Sequence, residues 1–250
     1  MEHKYNQSIS FFMPAYNEEA NIKIAIEEAV KFLEKNFVKY ELIIVNDGSK
    51  DKTKEIAESC AKKNKSIRVI NHPTNLQYGM ALKTGFENSK NELIFYTDSD
   101  RQFELKEIHN LMKRIKNYDM VIGYRKDRKD KKMRIYYSWI YNKALQFLLG
   151  ISFRDIDCAF KLCHKKVIDK VRPFSSIRGA DAELLAKAIA YNFSIKQIPV
   201  LHKPRIAGVS EAEAINAGFF VKIKPKIIIH LIKETLKLRK VCQKIKSRLK

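Results

Sequence analysis

The sequence predicts an α/β protein with a mostly parallel central sheet flanked by helices, followed by a C-terminal basic amphipathic helical tail. Three observations predict it. Before Arg125, short apolar runs alternate with segments whose apolar residues recur at helical spacing. The runs are nearly continuous, as expected for strands buried on both faces. Past Arg125 the rhythm breaks and basic residues gather.

Ile9 to Met13 is the first strand, and Ile22, Ile26, Ala29 and Leu33 mark the first helix. Leu42 to Val45 is a second strand; Asp51 to Lys63 carries a helix with Ile56, Ala57, Cys60 and Ala61 on one side. Ile67 to Ile70 reads as a third strand, Leu76 to Phe86 as a helix, and Leu93 to Tyr96 as a fourth strand. Leu105, Ile108, Leu111, Met112 and Ile115 mark another helix before a fifth strand at Met120 to Ile122. A basic loop, a helix from about Ile135 to Leu149 and mixed structure to about Gly208 follow. Residues 1–210 form the expected domain and 211–250 the tail. Right-handed crossovers between parallel strands place the strand C-termini on one edge, where ligands of such sheets bind.

The chain of 250 residues carries a formal charge of +21, and the excess is local. Arg125 to Arg134 holds seven Lys/Arg against two Asp, and Val221 to Lys250 holds eleven against one Glu. Such clusters point to anionic surfaces or ligands. A nucleic-acid binder would account for the charge but not for acidic loops, and no nucleic-acid motif occurs. Cys60, Cys158, Cys163 and Cys242 have no zinc-like pairing and read as reduced, packed thiols of a cytoplasmic protein. A strand begins within a few residues of Met1, so no signal peptide is expected. The apolar run Ile227 to Ile232 falls far short of the ~20 residues that span a bilayer.

The strongest local signal is Thr97-Asp98-Ser99-Asp100 after the fourth strand. Two carboxylates where a buried strand emerges suit a hard divalent ion, which binds phosphates alongside one or two carboxylates. Read alone, the same residues also make a turn that caps the next helix. Pro14-Ala15-Tyr16-Asn17-Glu18-Glu19 and Asn46-Asp47-Gly48-Ser49 follow the first and second strands. Each has a plain reading as helix-entry chemistry, but together they put three acid-bearing loops on one sheet edge. Neither GxxxxGK[ST] nor GxGxxG is present, which argues against a nucleoside triphosphatase and an ordinary dinucleotide site.

In these motifs, and in the Asn75–Gly85 segment and Gln102, the chain resembles the family 2 glycosyltransferases of the GT-A fold, from about Ser8 to Ser210. The resemblance implies a donor site lined by Pro14, Ala15, Tyr16, Glu18, Ser99 and Gln102, with Asp47 on the base. It implies that Asp98 and Asp100 hold Mg²⁺ or Mn²⁺ against the donor diphosphate. The second half resembles the branch of dolichyl-phosphate mannosyltransferase and related polyprenyl-phosphate sugar transferases. Gly123-Tyr124-Arg125 is similar to a Gly-x-Arg after the fifth strand, and Arg134 and Ser138 to residues that hold an acceptor phosphate. Four apart on a helix, those two address one anion near a helix N-terminus; Arg134 is otherwise one more solvated charge. Asp155 to Lys161 and Asp181 to Leu185 resemble further blocks, and Arg205 before Gly208-x-Ser210 an arginine on the donor phosphates.

The expected reaction is inverting transfer of a hexose from a GDP- or UDP-sugar to a polyprenyl (dolichyl or undecaprenyl) phosphate. Arg125, Arg134 and Ser138 would position that acceptor. A sugar hydroxyl acceptor would instead need a base, for which Asp181 is the candidate; its plain reading is a first-turn helix residue after Gly179. A catalytically inactive nucleotide-sugar binder is the third reading. Arg101 stands where a small or apolar residue is commoner, Glu211 where Lys is usual, and the C-terminal transmembrane helices of many relatives have no counterpart. In the tail Ile228, Leu231, Ile232, Thr235, Leu238, Cys242, Ile245 and Leu249 recur at helical spacing. Such a helix lies on a membrane, packs on the domain or joins a second copy. The expected setting is cytoplasmic and peripheral, on the cytoplasmic face of a membrane, with no nucleic-acid partner.

Overall fold

The computed structural model describes residues 4–126, 132–172, 179–205 and 225–249, with backbone alone for 132–134, 137 and 225–231. Gly208, Ser210, Glu211 and the Arg134 side chain therefore lie outside the described residues, as do the side chains of Ile228 and Leu231.

All five predicted strands form: β1 (Ile9–Ala15), β2 (Tyr40–Asn46), β3 (Ile67–Asn71), β4 (Leu93–Thr97) and β5 (Met120–Lys126). β6 (Phe160–His164) and β7 (Ile195–Leu201) complete a seven-stranded sheet in the order β3-β2-β1-β4-β6-β5-β7. β1, β2, β3 and β4 pair in parallel, as do β5 and β7. β6 runs antiparallel to both β4 and β5. The five predicted strands therefore all end on one edge, as expected; β6, in the segment read as mixed structure, runs the other way and brings its N-terminal approach to that edge.

Helices α1 (Ile22–Asn36), α2 (Thr53–Lys63), α3 (Tyr78–Asn88) and α4 (Ile108–Ile115) alternate with the first strands. A short 3-10 turn at Leu105–Glu107 leads into α4. α5 (Lys132–Leu149), α6 (Lys165–Val171), α7 (Ala180–Ala190) and α8 (Pro225–Arg248) follow. Successive strand side chains point to opposite faces, so the apolar runs feed two cores. Phe11, Leu42, Ile44 and Phe95 join α1, α2 and α4 on one face. Phe12, Ile43, Val45, Ile94 and Tyr96 join α3 and α7 on the other.

α3 approaches β1 closely because position 85 is glycine: a Cβ there would stand 2.3 Å from the Phe12 ring. Phe12 in turn stacks on Tyr96 at 5.2 Å between centroids. α8 packs against α7 and α5. Its Thr235 is buried, and Leu238 and Cys242 lie on the core. Of the readings open for the tail, the structure takes packing on the domain for this part of the stripe.

Candidate active site

The ends of β1, β2, β4, β5 and β7, with the approach to β6, surround a cavity of about 350 Å³. A larger groove of about 840 Å³ runs between α1 and α2, but none of the acidic strand-end residues Glu18, Asp47, Asp98 or Asp100 lines it.

The loops after β1 and β2 are stitched together. Thr53 Oγ1 accepts from Glu18 N at 2.8 Å, Ser49 Oγ from Asn17 N at 3.0 Å, and Asn17 Oδ1 from Lys50 N at 2.8 Å. Asp47 N donates to Ala15 O at 2.9 Å. The Asp47 carboxylate accepts from Leu76 N at 2.9 Å and lies 2.6 Å from His72 Nδ1, which fixes it at the cavity wall. Gly48 makes this turn with φ +67°, and a Cβ there would stand 2.3 Å from the Thr74 backbone.

The loop after β4 supplies the acidic centre. Asp98, Ser99, Asp100 and Gln102 all line the cavity. Ser99 Oγ donates to Pro14 O at 3.0 Å, and Asp100 Oδ1 accepts from Gln102 N at 3.1 Å. Gln102 Nε2 donates to Lys203 O at 3.0 Å, so its amide is spent tying this loop to the end of β7. Arg101, with φ 62°, leaves the cavity and pairs with Glu28 on α1 at 2.7 Å, which accounts for a charge at that position.

Arg205 links two of the loops: it hydrogen bonds Glu18 and stands 3.6 Å from Asp100 Oδ2. Burial raises the Glu18 pKa despite Arg205 and Asn21. Burial, then the charges of Asp100 and Asp181, push Asp98 up to about 8. Burial and Asp181 push Asp157 up to about 7. The cations beside them are committed. Arg125 grips Asp155 through Nε at 2.7 Å and Nη2 at 2.8 Å, and Lys161 donates to Asp181.

The structure thus brings Pro14, Ala15, Tyr16, Glu18, Asp47, Asp98, Ser99, Asp100, Gln102, Arg125 and Arg205 to one cavity. Asp181 and Ser138 are not among its described lining. Asp181 lies behind the wall, accepting from Tyr96 and Lys161. Ser138 sits on α5, where Asn142 Nδ2 donates to its carbonyl at 2.8 Å. Sequence reasoning did not single out Tyr78, Phe103, Asp157, Ala159 or His202, which also line the cavity. Asp157 and Ala159 lie within a block already quoted, and Tyr78 within the Asn75–Gly85 segment. Phe103 and His202 come together through a bridge between distant segments, which no local pattern announces.

A hard divalent ion suits this donor set. Asp98 and Asp100 place carboxylates in a cavity whose acidic groups are raised by burial and mutual repulsion. Among the described residues no group of three or more His, Cys, Asp or Glu forms a closed metal cage. One or two carboxylates completed by substrate phosphates is the pattern such ions adopt.

The family model for glycosyl transferase family 2 matches residues 10–172. A dolichyl-phosphate beta-glucosyltransferase of Trichomonas vaginalis is 33% identical over 211 residues, covering 77% of this chain and 64% of that protein. An undecaprenyl-phosphate 4-deoxy-4-formamido-L-arabinose transferase of Shewanella sediminis is 30% identical over 219 residues, covering 85% and 65%. The chain thus spans somewhat under two thirds of the length of these relatives. Glucosyl-3-phosphoglycerate synthase of Mycobacterium tuberculosis, solved with Mn²⁺, UDP-glucose and phosphoglyceric acid, superposes with TM-score 0.67 at 17% identity, covering 95% of this chain and 80% of that one. At that identity the likeness speaks for the fold.

Proposed function

The chain belongs to glycosyl transferase family 2, and we propose that it transfers a hexose from a nucleotide-diphosphate sugar to a polyprenyl phosphate. The observation that carries the donor half is that Asp98, Asp100 and Arg205 line one cavity whose wall also includes Asp47, with Arg205 beside Asp100. In this reading Asp47 meets the base, and the loops after β1 and β2 hold the nucleoside. Asp98 and Asp100 hold Mg²⁺ or Mn²⁺. That ion, when bound, neutralises the donor diphosphate as negative charge grows on it. Arg205 turns from Glu18 and Asp100 toward the same phosphates.

The acceptor half is supported by the likeness to relatives named for dolichyl and undecaprenyl phosphate. It is supported also by where Asp181 lies. A phosphate oxygen is already anionic and asks for no strong base, whereas a hydroxyl does. Asp181, tied to Lys161 and Tyr96 behind the wall, is poorly placed for that task. Arg125, at the mouth of the basic loop, serves to draw in the acceptor phosphate. No helix among the described residues is long and apolar enough to cross a membrane; a peripheral site on the cytoplasmic face is part of this proposal.

One observation favours a second reading, transfer to a sugar hydroxyl. Asp157 lines the cavity with its pKa near 7, where a general base works best. The two readings separate in one experiment. A panel of labelled nucleotide sugars is incubated with polyprenyl phosphate and Mn²⁺ or Mg²⁺. Labelled lipid is the expected product; label confined to water-soluble products would overturn the lipid-phosphate reading.

A further inference from the structure

Asp47, the residue given to the base, has few acceptor positions left open. Its backbone is fixed by the bond from Asp47 N to Ala15 O. Its Oδ1 accepts from Leu76 N at 2.9 Å and lies 2.6 Å from His72 Nδ1. Two donors fill the lone pairs of that oxygen. Among the described residues Oδ2 has no hydrogen-bond partner, and the carboxylate lines the cavity. One oxygen is spent, and one remains for a ligand.

His72 does part of the spending. It follows β3 directly, and its backbone N–H donates to Asn46 O at 2.9 Å. The ring is held on both sides. A carboxylate only accepts, so Nδ1 carries a proton toward Asp47. Nε2 lies 2.9 Å from Thr84 Oγ1 on α3, and a hydroxyl serves either state of that nitrogen. The His72 and Asp47 side chains are 9% and 5% exposed, so water does little to replace these bonds. Holding α3 to the sheet does not require them, because Val45, Ala81 and Leu82 already share one apolar core there.

Nucleobases differ in what they ask of a carboxylate. Uracil presents a single N3–H between two carbonyls, and one acceptor oxygen satisfies it. Guanine presents N1–H beside an exocyclic N2–H, a pair that matches both oxygens of a free carboxylate. With Oδ1 already filled, guanine would leave one donor unmet, which weakens binding about 10- to 100-fold. We infer that His72 is a positioning residue for the donor base: by occupying Oδ1 it presents Asp47 Oδ2 alone, and so selects a uracil nucleotide over a guanine one. The inference rests on the reading that Asp47 meets the base.

Titration calorimetry of the full chain with UDP and with GDP, both in Mn²⁺, tests it. Wild type is expected to prefer UDP by about tenfold or more. His72→Ala lowers UDP affinity about tenfold and leaves GDP within about threefold, so the preference disappears. His72→Asn, whose amide N–H stands close to the place of Nδ1, recovers most of the preference. Thr84→Val removes only the outer partner of the ring and shifts the same ratio about threefold. It carries the test if His72→Ala does not fold. A merely structural histidine would weaken both nucleotides alike, so an unchanged ratio in His72→Ala, or in Thr84→Val where that variant carries the test, overturns the inference. GDP bound as tightly as UDP by wild type overturns it too. UDP affinity unchanged in Asp47→Ala instead defeats the reading that Asp47 meets the base.

Discussion

Lys161 and Asp181 form an ion pair behind the wall of the cavity, with Lys161 wholly buried and Asp181 5% exposed. Lys161 comes from β6 and Asp181 from the first turn of α7, so the pair joins sheet to helix. The Tyr96 hydroxyl of β4 donates to the same carboxylate. Removing one partner of a buried pair strands the other charge. Lys161→Met is therefore expected to cost about 3–5 kcal/mol, and Lys161→Met with Asp181→Asn to cost less than the sum of the single changes. Urea unfolding of the four proteins measures the coupling; strict additivity would deny that the pair acts as a unit.

Asp98 is held among like charges that burial leaves poorly screened. Asp98→Asn should raise the melting temperature of the metal-free protein, because an amide has no charge for burial and the neighbouring carboxylates to oppose. The same change should abolish stabilisation by Mn²⁺ and reduce metal-dependent turnover of the sugar donor by about 10²–10³-fold. Calorimetry with and without Mn²⁺ reads the first effect, and nucleotide release the second. Retained stabilisation by Mn²⁺ would place the ion elsewhere.

Asp157 separates the acceptor classes. If the acceptor is a phosphate, Asp157→Asn should leave the chemical step within about tenfold of wild type, since no proton is removed. If it is a hydroxyl, the loss should reach about 10²–10⁴-fold, the usual contribution of a positioned base. Single-turnover rates with the two kinds of acceptor decide it.

Asp119 sets part of the acid limit of stability. Its carboxylate accepts from Ser194 N at 2.9 Å and Ser194 Oγ at 2.8 Å and pairs with Lys166. Although partial burial pushes it upward, these partners hold its pKa at about 2. The unfolded value is about 3.9. The folded state thus binds this proton more weakly, and the stabilisation is complete above about pH 4 and lost as pH falls toward 2. Because Asp119 and Lys166 are partly exposed, the contribution stays below about 1 kcal/mol. Asp119→Asn should lower stability at neutral pH and flatten the acid limb between pH 4 and 2, as followed by thermal melts.

The local patterns made much of the sheet legible. Continuous runs such as Leu42 to Val45 name strands buried on both faces, and the stripe of Ile22, Ile26, Ala29 and Leu33 names the buried side of α1. Residues directly after a strand could be placed on the ligand edge for the same reason. β6 and its reversal were not legible, because Phe160–His164 is short and interrupted by Lys161, and a strand's own sequence does not state which way it runs. That reversal is why Asp157 and Ala159, lying before a strand rather than after one, reach the cavity.

The sequence by itself determined the strand-helix alternation, the acidic loops and their common edge, because periodicity and strand ends are local properties. The tertiary structure alone decided which charges meet. Arg125 could not be matched to Asp155, Arg205 to Glu18, or Lys161 to Asp181 from spacing, since each pair is joined only when separate strands and helices pack. It also decided that Thr235, Leu238 and Cys242 of the tail face the domain while the outer side of α5 does not. An amphipathic pattern states that a face must be covered; what covers it depends on the shape of the surface it meets.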